Sequence, residues 1–118
     1  MKRYAFGYAT SKNITAYSSV GVNLTHIVKS LEAVSVVCIR LDADGRIGRH
    51  RTVGNQLFLV VEGAGEVSGA DGIFHPIEAG QAAFWERKEE HETRTQTGLV
   101  ALVIEGDNLE LGTRLQEI

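Results

Sequence analysis

His50, Gln56 and His91 are the residues whose types and positions could act together, two imidazoles and an amide set in or beside apolar, strand-like runs. A neutral imidazole binds a divalent metal or accepts a hydrogen bond, and an amide does the second well and the first weakly. In extended chain, side chains two apart share a face. His50 therefore points with Thr52, Gln56 with Phe58, and His91 with Thr93. If the Gly54-Asn55 turn sends the chain back as an antiparallel strand, Gln56 stands close to His50 and Thr52. Such residues can converge inside a small β-barrel and hold a metal or a polar ligand.

The elements that must position them read as strands. Glycine-rich punctuation recurs at 42–45, 54–55, 63–65, 69–72, 79–80, 98 and 106–108, and between these lie short runs rich in Val, Ile, Leu, Phe and Thr. That spacing predicts an all-β sandwich or closed barrel. The clearest strands are Val34 to Leu41, Gln56 to Glu62, Gly65 to Ser68, Gln81 to Trp85, His91 to Thr95 and Leu99 to Glu105, with two more within Asn13 to Ser30. The tail LELGTRLQEI reads equally as a last strand or a frayed helical turn.

Composition narrows the function classes. The chain has 118 residues, 43% hydrophobic, which fits a single domain over 1–118. Fifteen acidic against twelve basic residues give a net charge of −3, with no basic run for phosphates, so nucleic acid is not an expected partner. The longest apolar runs, LFLVV and LVALVI, are far below the roughly 20 residues of a membrane helix, so no membrane partner is expected. Gly7 and the polar TSKN stretch interrupt any signal-peptide core, and the expected compartment is the cytoplasm. Cys38, the single cysteine, sits in the apolar run VVCI and reads as a buried small hydrophobe.

Spacing then adds a family resemblance. Thr52 stands two after His50, three residues separate it from Gln56, and six more lead to Gly63; Gly45 precedes the set. Gly80 is followed by Glu86, Lys88, His91 and Thr95 at intervals of five, one, two and three intervening residues. The two runs resemble the two motifs of the cupin superfamily, with Thr52 in the place of a histidine, Gln56 in that of the glutamate, and Glu86, Lys88 and Thr95 in those of proline, glycine and asparagine. The resemblance covers about residues 34–105 and implies a double-stranded β-helix, or jelly-roll, barrel. It also implies a divalent metal ion (zinc, iron, nickel or manganese) at His50, Gln56 and His91, with Thr52, Phe58 and Thr93 in the pocket. Without the full set of three histidines and a glutamate, any such ion is held weakly.

The function this implies is binding of a small polar molecule, with metal-dependent dioxygenase or isomerase chemistry and a metal-free sensing or structural module as alternatives. No catalytic residue is assigned. Glu86, Glu89, Glu90 and Glu92 read as a solvated rim or as a source of a general base. Trp85 and Phe84 point to opposite faces, one of them to the core or pocket mouth, and Arg40 marks a strand end or a cation in the barrel. His26 and His75 lie outside both motifs and read as structural or surface residues. The strands of Asn13 to Ser30 lack a partner in the barrel and predict a homodimer through that edge.

Overall fold

The computed structural model describes residues 1–118, and its regular secondary structure is almost wholly strand. In chain order these are β1 (Lys2–Ala5), β2 (Lys12–Ile14), β3 (Val22–Leu24), β4 (Val28–Lys29), β5 (Ser35–Leu41), β6 (Arg46–Arg51), β7 (Asn55–Ser68), β8 (Phe74–Glu78), β9 (Gln81–Trp85), β10 (Glu90–Arg94), β11 (Leu99–Gly106), β12 (Glu110–Leu111) and β13 (Gln116–Glu117). The only helical pieces are single 3₁₀ turns at Tyr8–Thr10 and Ala16–Ser18, so the tail forms short strands rather than a helical turn. No helix is long and apolar enough to cross a membrane.

One strand organises the barrel. The first half of β7 pairs with β9 and β11 and its second half with β8 and β10, all antiparallel. β7 thereby belongs to two sheets, one ordered β5-β11-β7-β9-β1-β13 and the other β6-β10-β7-β8. The segments expected as separate strands at 56–62 and 65–68 are one element that turns a corner. Gly63 makes the corner possible: its φ is +80°, and a Cβ there would collide with the Gly98 carbonyl of the neighbouring loop. Opposite it, the β11 ladder shifts register between Val100 and Ala101, the bulge that lets the strand bend without losing its pairing.

Alternation along β7 separates two cores. Phe58, Val60 and Val67 face inward with Ile77, Ala83, Trp85, Leu99, Ala101 and Val103. Leu57 and Leu59 face outward with Ala82, and Phe6, Ile27, Val28, Leu109 and Leu111 from the two ends of the chain cover them. Trp85 is fully buried in the inner core, its indole N–H donating to the Ser68 carbonyl at 3.1 Å, while Phe84 packs on the outer side.

Three expectations need correction. β6 pairs with β10, in a register that sets His50 opposite His91, and does not fold back on β7 after Gly54. The strands within Asn13 to Ser30 have no partner in the barrel, as expected, but they are not unpaired: β2 pairs with β3 and β4 with β12, in two small sheets of their own. Cys38 is exposed, because β5 is an edge strand whose outer face nothing covers.

Candidate functional site

The two sheets enclose a cavity of about 180 Å³ on whose wall His50, Gln56, Phe58, His91, Thr93 and Glu105 meet. His50 comes from β6 and is exposed at the mouth, whereas His91 from β10 is only 3% exposed. Their rings lie 4.4 Å apart between centroids, and the other side of His91 meets the Trp85 ring at 4.5 Å. Val37, Ile39, Ile47 and Val103 make the apolar part of the wall. Thr52 falls just past the end of β6, where strand alternation no longer applies. It is buried and donates its hydroxyl to the Glu86 carbonyl at 2.9 Å, outside the set that lines the cavity.

Both imidazoles are oriented by their own strands. His50 Nδ1 lies 2.7 Å from the Gly48 carbonyl and His91 Nδ1 3.2 Å from that of Glu89. A carbonyl only accepts, so Nδ1 carries the hydrogen in each ring and Nε2 of the neutral form is left as an acceptor. Burial among apolar groups lowers the His91 pKa, and the neighbouring His50 acts in the same direction; the Glu89 carbonyl and the charges of Glu89 and Glu105 oppose them. His91 is therefore neutral at pH 7.

Gln56 donates its amide to the Glu105 carboxylate at 2.8 Å, across the β7–β11 ladder where the two residues are register partners. Glu105 is the site residue that the sequence reading missed. The signal was present in the strand itself, since Ala101, Val103 and Glu105 alternate onto the inner face. Two of the four rim carboxylates, Glu89 and Glu90, are engaged elsewhere. Glu90 pairs with Arg49 and Arg51, and Glu89 accepts from the Met1 amino group at 2.7 Å. Burial alone would raise the Glu89 carboxyl, but that ammonium and the Glu86 and Ala70 amides outweigh it and hold the pKa below the ordinary range.

The donor set is short of a full metal centre. No three His, Cys, Asp or Glu side chains come together as ligands, Gln56 brings no charge and has its nitrogen on Glu105, and the Thr52 hydroxyl is on a backbone carbonyl. These residues do not fit a tightly held resident metal; what remains for a cation is two imidazole nitrogens and an amide oxygen. What the arrangement does well is accept hydrogen bonds inside a largely apolar wall. A wider groove of about 570 Å³, lined by residues including Asp44, Arg46, Glu66, Arg94 and Thr95, lies away from the histidines. There Arg94 is already paired with Glu66 and the Thr95 hydroxyl is hydrogen-bonded to the Ala64 carbonyl.

Comparison with known proteins agrees with this architecture. A cupin superfamily protein from Desulfitobacterium hafniense superposes with a TM-score of 0.60 at 12% identity, covering 72% of this chain and 77% of that one. An RmlC-like cupin from Shewanella frigidimarina gives 0.59 at 21%, covering 74% and 72%. Salicylate 1,2-dioxygenase from Pseudoaminobacter salicylatoxidans, solved with gentisate, gives 0.58 at 22%, covering 61% of this chain but only 19% of the enzyme. At these identities the likeness is one of fold. No curated protein matches the sequence. The family model for the cupin domain matches residues 37–105, more than half of the chain, and the protein belongs to that family.

Proposed function

We propose that the barrel cavity binds a small polar molecule directly, through the imidazoles of His50 and His91 and the Gln56–Glu105 pair, with Phe58 and Thr93 completing its wall. The observation that carries this reading is that two imidazoles, each with Nδ1 held by a backbone carbonyl, and a carboxylate line one cavity with a largely apolar wall. A screen of small polar compounds followed by the indole signal of Trp85, the only tryptophan, tests it. Binding should move that signal in a saturable way, and His91→Ala should weaken it at least tenfold, roughly 1.4 kcal/mol. A screen in which no compound moves it would sink the reading.

A second reading is supported by the Nδ1 anchoring of both rings, an arrangement that commonly accompanies metal ligation. In it a divalent ion (zinc, iron, nickel or manganese) is a weak, exchangeable occupant of His50, Gln56 and His91, and dioxygenase or isomerase chemistry is the enzymatic alternative. Untagged protein purified without chelator should then carry substoichiometric metal that His91→Ala reduces. Absence of metal after reconstitution removes this reading and leaves the first intact.

We also propose a homodimer, through β5 rather than through the N-terminal strands. β5 pairs only with β11, its other edge is free, and Val34, Val36 and Val37 are 44%, 58% and 46% exposed. Arg40 is the only charge in the strand, so nothing in its first five residues discourages pairing with a second copy about a twofold axis.

A further inference from the structure

We propose that the ligand of the cavity is a small primary ammonium compound whose charge is met by Glu105, an inference that rests on the binding reading above. The charge inventory of the wall carries it. Glu105 is the one carboxylate among the lining residues, and no lysine or arginine lines the cavity with it. It takes part in none of the protein's ion pairs, and its hydrogen-bond donor, Gln56, is uncharged. A half-buried carboxylate beside a cavity without a cationic partner is an electrostatic vacancy for a positive ligand.

The hydrogen-bond inventory points the same way. Both Nδ1–H groups are committed to backbone carbonyls, so the unengaged polar atoms of the imidazoles are acceptors. The hydroxyls of Ser35 and Thr93 can turn to donate or accept, and therefore discriminate little. An ammonium group has three donors and no acceptor, which suits a cavity whose wall offers a carboxylate and imidazole acceptors rather than fixed donors. A carboxylate ligand would meet Glu105 with no cation to offset the repulsion. Val37, Ile39, Ile47 and Val103 supply an apolar wall for a short alkyl body, and about 180 Å³ restricts its size.

Three probes of one size and different charge test this: propylammonium, 1-propanol and propionate. Each is titrated at pH 8 in the presence of chelator and followed by the Trp85 indole signal. Propylammonium is expected to bind at least tenfold more tightly than propionate, with 1-propanol between them. Glu105→Gln, nearly isosteric and able to keep its contact with Gln56, should abolish the preference of propylammonium over propionate. Glu105→Asp should retain it, which separates loss of charge from loss of shape. Propionate binding as tightly as propylammonium, or a preference that survives Glu105→Gln, overturns the proposal. If neutral or anionic compounds bind and ammonium compounds do not, only the ligand class fails; if no compound of any charge moves the indole signal, the binding reading fails with it.

Discussion

His91 carries the clearest consequence of the site at the level of one residue. It lies between the Trp85 indole and the His50 ring and is nearly inaccessible to solvent, so its charged form is disfavoured in the folded protein. The folded pKa lies below the ordinary value of about 6.5. As pH falls through 6.5 the unfolded chain takes up the proton first, and the folded state loses stability until the folded pKa is passed. Stability from a neutral His91 is thus complete above the ordinary value and declines on acidification. The Tm advantage of the wild type over His91→Gln should shrink between pH 7.5 and pH 5, and the His91 ring proton should titrate below 6.5. An unchanged Tm difference, or a midpoint at or above 6.5, would contradict this. The histidines and Gln56 were legible in the sequence because motif spacing carries them. Glu105 lies outside both motifs: alternation along its strand places it on the inner face, but its pairing with Gln56 depends on a register partner about fifty residues away.

Strands show where local patterns stop being informative. Val34 to Leu41 and Gln81 to Trp85 were readable from β-branched and apolar runs alone, and the structure forms Ser35–Leu41 and Gln81–Trp85. Gly63 to Gly65 reads as a turn, yet β7 continues through it, because whether a glycine pair ends a strand or bends it is decided by the neighbouring β11. The Gly54-Asn55 pair likewise suggests a hairpin, but the jelly roll sends β6 to β10. Cys38 misled for the same reason: an apolar run has no label saying that it lies at an edge. That edge supports a prediction of its own. Wild-type protein should have a dimeric mass by light scattering at micromolar concentration, and Val36→Lys, on the exposed edge strand, should give a monomer of nearly unchanged Tm. A monomeric wild type, or a Val36→Lys dimer, would argue against β5 as the contact.

At the scale of the whole molecule, the large sheet is a wall between two cores with different tasks. The inner core surrounds the cavity, while the outer one is closed by segments before and after the span of the cupin match. Leu57 and Phe58 are adjacent in β7, both essentially inaccessible, and belong to opposite sides. Leu57→Ala removes packing against the terminal segments and should cost about 2–5 kcal/mol. Phe58→Ala should cost about 3–5 kcal/mol, since it leaves a void beside Trp85, whose ring lies 6.0 Å from that of Phe58. Urea unfolding would find the two variants similarly destabilised, whereas the Trp85 indole signal and its response to bound probes should change only in Phe58→Ala. Because packed layers transmit shape rather than charge, equal disturbance of the cavity by Leu57→Ala would mean that the outer core also sets the geometry of the site, and that the terminal segments belong to the binding machinery rather than to the scaffold alone.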